Sequence, residues 1–173
     1  MLKTHKIFNF GKVIITTGRP DQYSDEKLSE HIKMIKRYNT VSSDGLKARI
    51  YNSIIISCIY FNDIIISGGA IKKPTSEYIE KIFKKADIED GIYQKYQYEF
   101  GWLFTDEKYR GNGLSKIIRD QIFSDFNRPV FSTNESNNTP VIKTRERYNF
   151  TKIGNDFASN ICHNLKIQLW VKN

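Results

Sequence analysis

Arg110-Gly111-Asn112-Gly113-Leu114-Ser115 is the stretch whose residue types and spacing point most directly to chemistry. It follows an aromatic run ending at Thr105. It precedes Leu114, Ile117, Ile118 and Ile122, which recur at helical spacing. A glycine loop that opens a helix gathers backbone N–H groups, and the helix dipole adds roughly half a positive charge there. Gly111 and Gly113 lack a Cβ, so a phosphate can come close to the backbone, and Arg110 adds a guanidinium fork suited to phosphate oxygens. The other reading is a strand-to-helix turn that needs glycine for sterics alone. The loop is not a P-loop, because no Gly-Lys-Ser/Thr follows at Walker spacing. It is not the dinucleotide fingerprint either, because the third glycine is absent.

The remaining reactive side chains suggest less. His5, His31 and His163 have no mutual spacing for a metal site, and each reads as a surface or satisfied histidine. Cys58 falls in an apolar run and reads as packing. Cys162 and His163 are neighbours on an extended stretch, so their side chains diverge and make no Cys–His nucleophile. Two cysteines cannot build a disulfide framework or a four-thiolate zinc site, and both are expected to be free thiols.

The elements that must position the loop follow from the hydrophobic pattern. Residues 10–17 read as a strand and residues 18–21 as a turn. Ser24 or Asp25 caps a helix with Leu28, Ile32 and Ile35 on one face. After a turn at residues 42–45, residues 49–61 and 63–72 are two β-branched runs that read as an antiparallel hairpin. Their isoleucines imply burial on both faces. Pro74-Thr75 opens a helix carrying Ile79, Ile82, Phe83 and Ala86 on one stripe. Residues 96–105 form an aromatic strand, the glycine loop and its helix follow, and residues 129–133 are a short strand. Residues 138–148 form a helix with Pro140 in its first turn. Residues 150–155 and 164–172 close the chain as a hairpin. Strand runs mixed with helices argue for an α/β (α+β) domain spanning residues 1–173, with helices on the faces of a mixed sheet.

Composition sets the class. Hydrophobic residues are 39% and aromatic residues 13%, too rich for a disordered chain. The start is charged but lacks an apolar signal region, and no apolar run approaches the roughly 20 residues of a membrane span. The reading is a soluble, cytoplasmic protein without a membrane partner. The formal net charge is +8. The stretch 72–85 carries five lysines against two glutamates, and residues 139–173 carry six basic residues against Glu146 and Asp156. That surplus suits an anionic partner, nucleic acid included, or a plain solvated face.

The glycine segment resembles the acyl-CoA-binding motif of the GNAT superfamily of N-acetyltransferases, Arg/Gln-x-x-Gly-x-Gly/Ala. Arg110, Gly113 and Ser115 fill its fixed positions, Ser115 being a mild departure at the last small one. The lead-in Glu99-x-Gly101-Trp102-Leu103-Phe104-Thr105 is similar to the family as well. So is the spacing from Asn138 to Phe150, with Asn149 where the family has glycine. The resemblance covers the element order of nearly the whole chain and is specific in motif from about residue 98 to 154. It implies a single GNAT domain, with a mostly antiparallel twisted sheet of about six or seven strands and about four helices.

It also implies a site. Backbone groups of Leu103 and Thr105 would hold the pantetheine arm of acetyl-CoA. The amides of Arg110, Gly111, Asn112, Gly113, Leu114 and Ser115 would hold its diphosphate, and Asn138 would contact the arm. The acetyl group would pass directly to a primary amine of a small molecule or protein, with no metal. A base and an acid would handle the protons. Glu99 is the candidate base: a carboxylate in an aromatic strand costs solvation energy unless it has a role or a partner such as Lys95. Two-residue alternation puts it on one face with Gly101, Leu103 and Thr105. The family often has a tyrosine where this chain has Arg145, which cannot donate a proton at neutral pH. Tyr148, three residues on, is the candidate acid, with core packing as its other reading. Arg145 could hold an anionic group instead. Two further readings stay open: a nucleic-acid-linked amine as acceptor, and a non-catalytic acyl-CoA-binding module. The resemblance allows a monomer or a homodimer.

Overall fold

Helix caps and β-branched runs define most of the architecture. In the computed structural model, which describes residues 1–39, 41–88, 91–162 and 164–173, eight strands and five α-helices are present among the described residues. They are β1 (Leu2–Phe8), β2 (Gly11–Gly18), α1 (Asp25–Tyr38), α2 (Leu46–Tyr51), β3 (Ile55–Phe61), β4 (Ile64–Lys72) and α3 (Ser76–Lys85). There follow β5 (Tyr98–Thr105), α4 (Leu114–Asp125), β6 (Val130–Glu135), α5 (Thr139–Arg147), β7 (Thr151–Ala158) and β8 (Lys166–Lys172). The strand order is β1-β2-β3-β4-β5-β6-β8-β7. β5 and β6 run parallel, while the pairs β1/β2, β2/β3, β3/β4, β6/β8 and β7/β8 are antiparallel. No helix among the described residues is long and apolar enough to cross a membrane.

The chain divides into two compact units, one of residues 1–72 and 101–127, the other of residues 73–100 and 128–173. In the first unit, β1 to β4 form a meander. Ser24 starts α1 by accepting a hydrogen bond from the Lys27 amide (3.3 Å). The helix buries Leu28, His31 and Ile35 against Ile56, Cys58, Tyr60 and Phe104. Each such large apolar side chain contributes about 1.5–3 kcal/mol by leaving water. The pair Gly68-Gly69 lets β4 accept close neighbours on both faces. A Cβ on Gly68 would stand 2.8 Å from His31 Cε1, and one on Gly69 would stand 2.9 Å from Ile118 Cγ2 of α4.

His31 is not a surface residue. It is 1% exposed, and its Nδ1 lies 3.3 Å from Cys58 Sγ. Burial lowers its pKa to about 3, so it stays neutral, and burial raises the Cys58 thiol to about 12. Cys58 is therefore the inert packing residue its apolar run suggested. Cys162 is a free thiol of intermediate exposure; its sequence neighbour His163 lies outside the described residues.

In the second unit, Thr75 caps α3 by accepting from the Tyr78 amide (3.2 Å). Ile79, Ile82, Phe83 and Ala86 then pack with Tyr96, Phe131, Leu169 and Val171. β8 lies between β6 and β7. Helix α5 ends in a Schellman turn: the Phe150 amide donates to Arg145 O (3.0 Å), the Asn149 amide donates to Glu146 O (3.0 Å), and Asn149 has φ +58°. Asparagine thus takes the left-handed position where the family motif carries glycine.

Two expectations need correction. The sheet has eight strands rather than six or seven, because Leu2–Phe8 is a mostly exposed edge strand with no apolar face to announce it. The helices number five rather than four. The β run expected to begin at residue 49 begins at Ile55, and α2 occupies residues 46–51 with Leu46 and Ile50 buried. Those two apolar residues stand four apart, the helical spacing, and the adjoining isoleucines masked it.

Candidate functional site

The aromatic strand β5 delivers the chain to the glycine loop. From Trp102 on, its residues alternate as expected: Trp102 and Phe104 are buried, while Leu103 and Thr105 are half-buried. Ser67 Oγ of β4 donates to Phe104 O (2.7 Å) and lies 3.0 Å from Thr105 Oγ1, which fixes the strand's end. Trp102 has φ +51°, a left-handed conformation that a bulky side chain rarely adopts. Its ring carries the Lys72 ammonium 5.0 Å from the centroid. Upstream of it, Glu99 and Phe100 are both buried.

Beyond Thr105, Asp106 caps a short 3-10 turn, Glu107–Tyr109, by accepting from the Lys108 amide (3.0 Å). Gly111 (φ +82°) and Gly113 (φ +71°) then turn the chain into α4, with Gly113 as its N-cap. Glycine holds such angles without strain, and few other residues adopt them. Among the described residues, no atom beyond the chain neighbours lies within 4 Å of where a Cβ would stand on either residue, so both glycines face open space. The Asn112 side chain braces the bend by donating to Tyr109 O (3.1 Å) and Arg110 O (3.3 Å). The Lys116 and Ile117 amides donate to Gly113 O (3.0 and 3.2 Å), and the amides before them have no carbonyl one turn back in the helix to pair with. The Arg110 amide, in contrast, donates to Glu107 O (3.3 Å). Its guanidinium is 60% exposed, 3.9 Å from Glu107 and with Nε 3.4 Å from Thr105 O. The loop thus joins a positive helix end, an exposed guanidinium and two side-chain-free positions, a combination suited to phosphate oxygens.

The other candidates lie in the second unit. Glu99 is 4% exposed and stands in register with Phe131 of β6. The parallel β5/β6 ladder pairs Tyr98 with Val130 and Glu99 with Phe131, and Ser132 Oγ donates to Phe100 O (2.7 Å) just beyond. Asn138 is the N-cap of α5, its Oδ1 accepting from the Val141 amide (3.3 Å). Tyr148 is the half-buried C-cap of the same helix. Arg145 is a buried residue of α5. It is 5% exposed, its guanidinium 4.8 Å from the Phe100 ring centroid and 5.0 Å from that of Phe150.

Two side chains near the loop escaped notice in the sequence. Arg119 is 7% exposed, and its guanidinium donates to Ser115 Oγ (3.4 Å), one helical turn back toward the start of α4. The i, i+4 spacing of Ser115 and Arg119 was the available signal. Tyr38 Oη donates to Asp106 Oδ2 (3.0 Å) across 68 residues of sequence, and no local pattern announces such a contact.

No family model matches the chain, and no curated protein matches it. Solved structures do. An acyl-CoA N-acyltransferase from Pseudomonas aeruginosa superposes with a TM-score of 0.68 at 8% identity, covering 93% of this chain and 99% of that one. Arabidopsis thaliana Naa50, in complex with the bisubstrate analogue CoA-Ac-MVNAL, gives 0.65 at 14% identity over 92% and 98% of the two chains. A GNAT family acetyltransferase from Elizabethkingia anophelis with acetyl-CoA bound gives 0.58 at 10% identity over 93% and 97%. The protein has the fold of the GNAT acetyltransferases.

Proposed function

We propose that the protein is an acyl-CoA-dependent N-acetyltransferase that moves an acetyl group from acetyl-CoA directly to a primary amine. The observation that carries this reading is the loop at residues 110–115. Two left-handed glycines with open space above them lead into a helix start, and the chain around them has the GNAT fold. Amides of Gly111, Asn112, Gly113, Leu114 and Ser115 would bind the diphosphate, with the Arg110 and Arg119 side chains adding charge. Backbone groups of Leu103 and Thr105 would take the pantetheine arm, and Asn138 Nδ2 would donate to it. The amine nitrogen attacks the thioester carbon, the C–S bond breaks, and CoA leaves as the thiol. Glu99 would accept the amine proton and Tyr148 would supply one to the leaving sulfur. Structures of similar fold with acetyl-CoA or the bisubstrate analogue CoA-Ac-MVNAL bound support this donor.

Calorimetric titration with acetyl-CoA, followed by thiol release with a panel of amines, tests the reading. Saturable binding with amine-dependent release is expected. Binding without release would leave a non-catalytic acyl-CoA-binding module, and no binding would end the proposal. Within it, Glu99→Gln is expected to cut turnover at neutral pH by about a hundredfold or more while leaving CoA affinity intact. Unchanged turnover would reassign Glu99 to the core.

A further inference from the structure

We propose that Tyr38 is a positioning residue for the diphosphate-binding loop; the proposal rests on the acyl-CoA reading above. Tyr38 is the last residue of α1. Its hydroxyl donates to one oxygen of the Asp106 carboxylate, Oδ2, at 3.0 Å, while the other oxygen, Oδ1, accepts from the Lys108 amide at 3.0 Å. The Asp106 amide donates in turn to Ile66 O of β4 at 2.8 Å. Asp106 is therefore held at three atoms, and both of its oxygens are committed. One shapes the turn that feeds Gly111, and the other ties that turn to the end of α1. The Tyr38 ring stacks on Phe104 (6.2 Å between centroids, 13° between planes). Its π-system lies 5.8 Å from the Arg110 guanidinium and 5.1 Å from that of Arg37. One side chain thus fixes both the start of the loop and the lie of its only arginine. Burial and the nearby Asp106 carboxylate push the Tyr38 phenol above its ordinary pKa, so it remains a donor throughout the neutral range.

The test separates the hydroxyl from the ring and positioning from general stability. Calorimetry with CoA is run on the wild type, Tyr38→Phe, Asp106→Asn and the double variant, with 31P spectra of the complexes at saturating CoA. Tyr38→Phe is expected to weaken CoA binding about five- to tenfold, the scale of one ordinary hydrogen bond. Its bound diphosphate resonances should move toward their free positions. Asp106→Asn, left with a single side-chain oxygen to accept, should give a similar loss. The double variant should lose less than the product of the two factors, because both substitutions break one tether. Affinity within twofold of wild type for Tyr38→Phe, or unshifted 31P resonances despite weaker binding, overturns the assignment. Multiplying losses in the double variant do the same. A wild type that binds no CoA overturns the acyl-CoA reading itself, a result visible before any variant is compared.

Discussion

Replacing Gly113 by glutamate is expected to abolish CoA binding, lowering affinity by at least about a hundredfold. Two effects add. Gly113 caps α4 at φ +71°, where a side chain costs about 1–2 kcal/mol of backbone strain. The open space above its Cα would then hold a carboxylate where phosphate is meant to sit. Like charges at contact distance, at the positive end of a helix that a ligand anion needs, repel by several kcal/mol in a partly desolvated site. Because no protein atom lies within 4 Å of the added Cβ, the fold itself is spared a clash. Gly113→Asn is the companion: asparagine tolerates the left-handed region and brings no charge, so it should bind CoA far better than the glutamate variant. Calorimetric titration checks both, and wild-type affinity in Gly113→Glu would remove the diphosphate from this loop.

The second large effect is acid lability. His31 is buried and neutral, with its pKa lowered to about 3, whereas an unfolded histidine titrates near 6.5. The unfolded chain therefore binds one more proton than the folded one between those values. The stabilising contribution is complete above about pH 6.5 and is lost as pH falls, at up to about 1.4 kcal/mol per pH unit. By pH 5 the loss from this residue is about 2 kcal/mol. Urea unfolding at a series of pH values reads it directly. His31→Asn keeps a small polar group near Cys58 but cannot titrate, so its stability should fall less steeply with acid by close to one proton. An unchanged slope would show that His31 stays neutral in both states or charged in both.

Much of this was legible in short stretches of sequence. Ser24, Thr75 and Asn138 announced three helix starts, because a side-chain oxygen before an apolar stripe has a local job to do. Gly111 and Gly113 announced the loop for a similar reason: their left-handed angles favour glycine. What stayed hidden depends on contacts far along the chain or on conformations that leave no compositional mark. Edge strand β1 reads as charged and unpatterned because neither of its faces is buried. Trp102 shows nothing in its type to betray a left-handed backbone. His31 was the recoverable case: it lies three residues after Leu28 and four before Ile35, on the very stripe that the helix buries. Arg145 and Tyr38 were not recoverable in this way. The stacking of Arg145 on Phe100 and Phe150, and the link from Tyr38 to Asp106, arise only once distant segments have folded together.

The place of β8 has a consequence for how the protein is made. The last strand of the sequence is not at the rim but between β6 and β7, pairing with both. Until residues 166–172 have emerged, β6 and β7 lack their shared neighbour, and each presents unpaired backbone edges. The meander β1 to β4, by contrast, can pair strand by strand as it appears. Synthesis thus delivers a part that can settle early and a part that must wait for residues 166–172. That wait is the interval in which a nascent chain is most open to wrong strand partners.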